Sequence, residues 1–336
     1  MAMTLPENGS AGKLAPALFL RRLILGVLTA FVCACGNPHA SQISKTSAAG
    51  VLRSDNFQAV ATNSHVVVAA NGAGDLLTST DSGRSWRRQA LTGTVSIIDI
   101  ASCPDGRFHA VDFYRRIWNG SADGRQWTSV GLPEGFTPLA TTCRSDGQVW
   151  LVGSQTTIMS SSDGGATWRT FSLKKDAMLR AVQFFDSNSG VVVGEFGLVL
   201  ATADGGATWQ ESGKIGEDFY PYAMHFHDPS NGWVSGLAGA VMRTRDGGKT
   251  WSREANESGA SLYALTERGD HVVAAGDGGV VAQLDAGKWS LLPASVAGAP
   301  WLASSVDMRS EGLLVAGPGG VLRTLPPTTI DHGAAQ

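Results

Sequence analysis

A tryptophan recurs along the sequence at an almost constant interval, and this spacing limits the possible folds more than any other feature. The intervals are 41, 41, 41, 42 and 38 residues between Trp86, Trp127, Trp168, Trp209, Trp251 and Trp289. A fixed period of about 20–50 residues is typical of repeat architectures, in which each unit buries its apolar face against its neighbours. The sequence therefore predicts a series of similar units.

Each of these tryptophans ends a similar phrase, and residues 161–168 (Ser-Ser-Asp-Gly-Gly-Ala-Thr-Trp) are its clearest copy. The pattern is the Asp-box, S/T-x-D-x-G-x-S/T-W. Its Asp and Ser/Thr side chains are expected to bond backbone groups of a turn, and its Trp to anchor that turn in apolar surroundings. We interpret the boxes as structural. Four copies are complete, with the pairs Asp81 and Trp86, Asp163 and Trp168, Asp204 and Trp209, and Asp246 and Trp251.

Glycine pairs and short β-rich runs complete the repeating unit. Gly194 and Gly236 each lie ten residues before a box aspartate, with apolar runs on both sides of each glycine hairpin. Each unit is therefore predicted to be a four-stranded antiparallel meander. Four strands at this period are typical of one blade of a β-propeller, so the expected fold class is all-β.

The length of the repeat region predicts seven blades. Residues 51–326 number 276, which is 6.7 periods of 41. The last unit, about 296–325, has three strand-like runs before Pro326-Pro327, and proline blocks a further strand. Because an open ring would expose a sheet edge, we expect a strand from about residues 42–50 to complete the last blade. Residues 327–336 are interpreted as a tail.

The N-terminus has the features of a lipoprotein signal peptide. Arg21 and Arg22 precede the apolar run 23–32, which is too short for a membrane span but suits a signal peptide. Cys35 follows Val32-Cys33-Ala34 in the pattern of a bacterial lipobox, so residues 1–35 are predicted to be the signal and 36–50 a tether. The residue after Cys35 is Gly36 and not Asp, which favours sorting of the exported, lipid-anchored protein to the periplasmic side of the outer membrane. An ordinary cleaved signal is the alternative.

Two further cysteines lie one repeat apart. Cys103 and Cys143 are separated by 40 residues and occupy equivalent positions on the first strands of neighbouring blades. Export to an oxidising compartment would favour a disulfide that clamps blades 2 and 3. The alternative is two buried free thiols in positions that phenylalanine takes in other blades.

The charge balance argues against nucleic acid as a partner. Beyond residue 35 the chain has 23 basic and 28 acidic residues, a net charge of −5. Nucleic-acid binding proteins carry basic patches that neutralise phosphates. We therefore expect a protein partner or an envelope complex, and contact with the membrane through the lipid anchor only.

The phrase at residues 232–251 also resembles a known family. Gly232-Trp233-Val234-Ser235-Gly236, Gly239 and the box that ends at Trp251 are similar to the blade motif of photosystem II stability/assembly factors. Members are seven-bladed, non-enzymatic chaperones that bind nascent photosystem subunits. The resemblance implies a non-catalytic binding scaffold in which arginines contact the client. The candidate arginines here are Arg180, Arg243 and Arg323.

Asp-boxes also occur in sialidases, so a carbohydrate-active enzyme is the alternative function. Such an enzyme needs an arginine triad, a tyrosine nucleophile with a glutamate, and an acid/base aspartate. The nearest arginine phrase, residues 115–118, lacks the expected proline. The acidic residues to test are Glu195, Glu217 and Asp218. All three are expected to be exposed, with Glu195 far from the other two, so the prediction is no enzyme.

A His-x-His pair completes the candidate chemistry. His225 and His227 alternate on one face of a strand and would hold a metal if a third ligand came from another blade. The favoured interpretation is hydrogen bonding between blades. The sequence contains no phosphate loop, and neither a cofactor nor a metal is expected.

Overall fold

The computed structural model describes residues 45–47, 50–285, 287–293 and 295–327. The predicted signal peptide with Cys35, most of the predicted tether and residues 328–336 lie outside these ranges. Within them, no helix has the length and apolarity needed to cross a membrane.

Seven antiparallel sheets follow one another along the chain, and each of them is one blade. A short strand, β1 (Lys45–Ser47), precedes them. The strands of the first four blades have the following bounds: β2 (Phe57–Thr62), β3 (Val67–Asn71), β4 (Asp75–Ser79) and β5 (Arg87–Ala90) in blade 1; β6 (Ile97–Ser102), β7 (Phe108–Asp112), β8 (Arg116–Gly120) and β9 (Trp127–Gly131) in blade 2; β10 (Pro138–Cys143), β11 (Val149–Gly153), β12 (Thr157–Ser161) and β13 (Arg169–Ser172) in blade 3; β14 (Leu179–Phe184), β15 (Gly190–Gly194), β16 (Leu198–Thr202) and β17 (Gln210–Lys214) in blade 4.

Blades 5 and 6 also have four strands, whereas blade 7 has three. Their bounds are β18 (Pro221–Phe226), β19 (Gly232–Gly236), β20 (Val241–Thr244) and β21 (Ser252–Glu254) in blade 5; β22 (Leu262–Arg268), β23 (His271–Gly276), β24 (Val281–Asp285) and β25 (Lys288–Leu291) in blade 6; β26 (Ser304–Asp307), β27 (Leu313–Gly317) and β28 (Val321–Leu325) in blade 7. Short 3₁₀ turns span Ser154–Thr156, Glu195–Gly197, Leu237–Gly239 and Arg309–Glu311. The predicted seven-bladed propeller is confirmed.

The second strand of each blade shows why the sequence folds this way. In β15, Val192 packs toward the apolar cluster of blade 3, whereas Val191 and Val193 pack toward the cluster that contains Phe226 and Val234 of blade 5. Both faces of the strand are buried, so its sequence is a continuous apolar run. The core is therefore divided into a series of layers between neighbouring blades.

The ring closes differently from the prediction. Strand β1 pairs with β5 and becomes the fifth strand of blade 1, so the expectation that residues 42–50 complete the last blade is wrong. Arg88 explains this placement, because its guanidinium donates to the carbonyl of Gly50 and to Asp55 Oδ2 and so holds the incoming chain against blade 1. No described strand pairs with the outer edge of β28.

The first and last blades share no described strand and are joined by side-chain packing. Phe57 and Leu77 of blade 1 lie in one buried cluster with Leu314 and Ala316 of blade 7. The amide of Val60 donates to Ser304 Oγ over 3.2 Å across the same boundary. Apolar burial and a few hydrogen bonds therefore close the ring.

Candidate functional site

The Asp-box is a turn closed by its own side chains. Asp163 Oδ1 accepts hydrogen bonds from the Thr167 amide at 2.9 Å and from Ser161 Oγ at 2.8 Å, and its Oδ2 accepts from Thr167 Oγ1 at 2.6 Å. Ser161 Oγ in turn accepts from the amide of Gly165 at 2.8 Å. The boxes of Asp81, Asp204 and Asp246 repeat this arrangement.

The electrostatic consequence is uniform. Hydrogen bonds lower the pKa of all four box aspartates, Asp81, Asp163, Asp204 and Asp246, to about 2. The largest effect comes from the side-chain hydroxyl of Ser85 in the first box and of the equivalent threonine in the other three. All of these donors are groups of the same turn, so the hydrogen bonds of the carboxylate stabilise the turn. The box also joins blades, because a Cβ on Gly165 would lie 2.6 Å from Ile117 of the preceding blade.

Cys103 and Cys143 lie together at the boundary between blades 2 and 3. Their Cα atoms are 5.1 Å apart and their sulfurs are bonded. Cys103 directly follows β6, and Cys143 is the last residue of β10. The first strands of two neighbouring blades thus bring the pair together, as their equivalent positions in the repeat suggested.

A cavity of about 710 Å³ occupies the centre of the ring, lined by the first strands of the blades. In six blades, the register of the first strand shifts at its second residue, so that this residue is an extra one in a β-bulge. A bulge redirects a side chain, and these six all line the cavity. They form what we call the bulge ring: Gln58, Ile98, Leu139, Arg180, Tyr222 and Tyr263.

Arg180 supplies the positive charge of the bulge ring. It is half-buried, and among the described residues no carboxylate lies within ion-pair distance of it. Arg180 interacts through its charge with the Asp99 carboxylate, which accepts hydrogen bonds from the amides of Thr141 at 2.8 Å and Ile100 at 2.9 Å. Burial raises the pKa of Asp99 to about 6 in spite of those hydrogen bonds and the charge of Arg180. The cavity thus presents a cation without a close counter-ion.

Aromatic side chains line another part of the cavity. The rings of Tyr222 and Tyr263 meet edge to face with centroids 4.9 Å apart, and Trp301 contributes a half-exposed indole. Tyr263 Oη donates to Asp277 Oδ1 at 2.9 Å. Burial, followed by this hydrogen bond, raises the pKa of Tyr263 to about 12, so the phenol stays protonated at neutral pH. The chemistry of this wall is that of a binding surface, apolar with fixed polar edges.

The three arginines that the family resemblance suggested are not brought together. Only Arg180 lines the cavity. Arg243 on β20 lies over the ring of Trp233, 4.9 Å from its centroid, and pairs with the buried Glu254 at 3.3 Å. Arg323 is exposed on the edge strand β28. Arg243 therefore contacts Trp233 and Glu254. Arg323 lies in blade 7, whereas Arg180 and Arg243 lie in blades 4 and 5.

The acidic residues proposed for an enzyme do not meet in the cavity. None of Glu195, Glu217 and Asp218 is part of its wall. Two expectations about them are wrong: Glu195 is half-buried, with its Oε2 accepting from the amide of Met178 at 2.9 Å, and its turn touches the loop of the other two. The amide of Gly197 donates to the carbonyl of Phe219, because packing between blades 4 and 5 brings these loops together.

His225 and His227 both face Glu267 of the next blade. His227 Nδ1 lies 2.7 Å from Glu267 Oε1, and His225 Nε2 lies 3.6 Å from Oε2. Within the described residues these three do not form a group close enough to hold a metal, whereas a different set does: Cys103, Cys143 and His109. The histidine pair therefore contacts an acid between blades.

Sequence reasoning missed the bulge ring, although a signal for it exists. Its six members are spaced by 40, 41, 41, 42 and 41 residues, the period of the box tryptophans. Their identities share no pattern, so only an alignment of the repeats by register would have separated them from the surrounding strand residues.

Comparison with known families and solved structures gives matches to propellers of the same kind. The family model described as "Photosynthesis system II assembly factor YCF48" matches residues 120–217. A structure of YCF48 from Cyanidioschyzon merolae superposes with a TM-score of 0.68 at 17% identity, covering 85% of this chain and 100% of that one. A structure of YCF48 bound to D1 peptide gives 0.66 at 14% identity, covering 85% and 96%.

Enzymes share the fold as well. Virginiamycin B lyase from Staphylococcus aureus superposes with a TM-score of 0.69 at 13% identity, covering 84% of this chain and 99% of that one. No sequence among the curated proteins matches significantly. At such identities the structural matches establish the fold alone.

Fold and boxes together define the chain as an Asp-box seven-bladed β-propeller. Within that class, the resemblance to photosystem II assembly factors is supported by the family model over residues 120–217, and the two YCF48 structures share the same propeller fold.

Proposed function

We propose that this chain is a non-catalytic binding protein of the cell envelope, which holds a segment of a partner protein at the bulge ring. The observation that carries the proposal is the half-buried Arg180 in the central cavity, with no carboxylate at ion-pair distance among the described residues. A guanidinium without a close counter-ion in a concave site can form charge-assisted hydrogen bonds to an incoming carboxylate.

Three further features support binding without catalysis. Tyr222 and Tyr263 give rigid apolar contact area beside Arg180, and aromatic side chains are typical anchors of protein interfaces. The carboxylates of the boxes are occupied by their own turns. In a related fold, YCF48 has been solved bound to D1 peptide, which supports a peptide as the kind of ligand.

Photo-crosslinking in the native organism tests the site. A crosslinking amino acid at Tyr222 should give one discrete adduct, and Arg180→Glu should abolish it. The same amino acid at the exposed Arg323 is the matched control and should give no such adduct. Equal adducts from both positions, or an adduct that survives Arg180→Glu in folded protein, would reject the bulge ring as the binding site.

The envelope location is tested separately. We propose that Cys35 is lipidated, and Cys35→Ala should then release the protein from the membrane fraction or leave the precursor uncleaved. Cys33→Ala is the matched control and should fractionate as the unmodified chain does. Unchanged fractionation and processing of Cys35→Ala would reject the lipid anchor while leaving the proposed binding site intact.

The absence of catalysis is tested by assay. Purified protein should turn over no aryl glycoside or sialoside. Turnover that is abolished by substituting Glu195, Glu217 or Asp218 would establish the enzyme alternative.

A further inference from the structure

Cys103, Cys143 and His109 form a cluster at the boundary of blades 2 and 3. The two sulfurs and one ring nitrogen of His109 all lie within 4.8 Å of one another. Cys103 follows β6, Cys143 ends β10, and His109 is the second residue of β7, so two blades build the cluster. Two thiolates and an imidazole are ligands typical of zinc sites.

Hydrogen bonds fix the protonation of His109. Asn119 Nδ2 donates to the carbonyl of Gly164 at 2.8 Å, so Asn119 Oδ1 is the atom that lies 2.7 Å from His109 Nδ1. An oxygen acceptor can bond Nδ1 only when Nδ1 carries the proton, which leaves the lone pair of the neutral ring on Nε2. Metal-bound histidines are commonly oriented by such a second hydrogen bond.

Solvent can reach the cluster. His109 and Asn119 lie in the wall of a surface cavity of about 660 Å³, which Asp105 also lines. Asp105 is exposed. Cys143 is also partly exposed, so an ion can approach from the surface and a water molecule can take a fourth position. An entry path is one of the requirements of a metal site.

We propose that Cys103, Cys143 and His109 bind a zinc ion once the disulfide is reduced. A dithiol reductant transfers two electrons and two protons to the Cys103–Cys143 bond, which gives two thiols and converts the reductant to its own disulfide. Zinc displaces both thiol protons to the solvent and binds the sulfurs at about 2.3 Å and the imidazole at about 2.0–2.1 Å. The oxidised protein has no thiolate to offer, so the bond and the metal exclude each other.

Metal titration of the full chain tests this inference, with Cys33→Ser and Cys35→Ser present so that only two cysteines remain. A phosphine reduces the disulfide and takes up the oxygen of water, without adding a thiol ligand. Cd²⁺ should then give a thiolate-to-metal charge-transfer band that saturates at one ion per chain, and an excess of Zn²⁺ should weaken the band by competition. The oxidised chain should give no band.

Variants separate the site from adventitious thiol binding. His109→Ala should abolish saturable binding at one ion per chain, and Asn119→Ala should weaken it about 10–100-fold because the imidazole loses its orienting partner. His65→Ala, an exposed histidine of blade 1, is the matched control and should bind as the parent does.

Any one of three binding results would overturn the inference: reduced chain that does not bind Cd²⁺, equal binding by the oxidised chain, or unchanged affinity in His109→Ala. If reduction loosens the fold, zinc should raise the melting temperature of the reduced chain. Loss of fold without recovery by zinc also contradicts the site.

Discussion

At the scale of single residues, Asp99 is the ionisable group that the fold disturbs most clearly within the central cavity. Its carboxylate accepts two backbone amides, which favour the charged form, yet burial outweighs them and raises the pKa to about 6. The charge of Arg180 also favours the ionised form of Asp99. The cavity therefore has an acid that changes charge near neutral pH.

This pKa predicts a pH dependence of stability. The folded pKa, about 6, lies above the usual pKa of an aspartate, so the folded state binds the proton more tightly. The contribution of Asp99 is therefore most favourable below about pH 4 and declines by about 1–3 kcal/mol as the pH rises through 6. Denaturant unfolding of the parent and of Asp99→Asn checks this.

The measured quantity is the difference in unfolding free energy between the two proteins across pH 4–8. Burial lowers the pKa of His109 and of His225, which affects stability with the opposite sign, but both histidines are present in both proteins and their effect cancels in the difference. A difference that stays constant with pH would contradict the raised pKa.

The box tryptophans differ in burial, which gives a second residue-scale prediction. Trp209 is only 3% exposed and packs against Trp150 and Phe184, with ring centroids 6.0 and 5.8 Å away. Trp209→Ala should lower the unfolding free energy by about 3–5 kcal/mol. Trp168 is half-buried, so Trp168→Ala should cost less. Urea unfolding measures both, and equal losses would mean that burial does not set the cost.

At the scale of elements, one arginine attaches the incoming chain to the first blade. Arg88 pairs with Asp55 at 2.5 Å and with Asp75 at 2.6 Å, and Asn71 donates to both acids. Arg88 and Asp55 are both buried. The network holds the segment before β2 and thereby determines on which blade β1 can pair.

Removal of the buried cation should be costly. Arg88→Met leaves the Asp55 carboxylate uncompensated, and we expect a loss of about 3–5 kcal/mol in unfolding free energy. Arg84→Ala is the control, because Arg84 pairs with Glu311 across blades 1 and 7 on the surface and should cost about 0–1 kcal/mol. Urea unfolding distinguishes them. A loss in Arg88→Met as small as that in Arg84→Ala would contradict the role of the network.

The sequence predicted every blade because each repeat encodes its own strands and hairpin locally, and four of the seven also carry a complete box. It misplaced β1, because the partner of an added strand depends on Arg88 and Asp55, which are 33 residues apart and meet only in the fold. The bulge ring escaped prediction for a related reason: a bulge leaves no residue-type signature, so Arg180 looked no different from Arg243 and Arg323. Local pattern thus predicts elements, whereas the site depends on register.

At the scale of the whole molecule, the ring closes by apolar packing between blades 1 and 7 and by boxes that connect successive blades. A disulfide between Cys103 and Cys143 connects blades 2 and 3 covalently. The ring is therefore stabilised at several boundaries between neighbouring blades. A change that weakens all the boxes lowers stability at several of these boundaries together.

Acid provides such a change. The box aspartates have a pKa of about 2 in the folded state, below the usual pKa of an aspartate. The boxes therefore contribute stability above about pH 4 that is lost as the pH falls toward 2. Thermal melts should show a steep decline of the melting temperature between pH 4 and 2.

Replacing Asp163 and Asp204 together by Asn should lower the melting temperature at pH 7 and flatten this decline, because two of the four titrating groups are gone. Asp186→Asn is the control, since Asp186 accepts amides of its own hairpin outside any box and should leave most of the decline in place. A parent-like decline in the Asp163/Asp204 variant would show that other carboxylates cause the acid sensitivity.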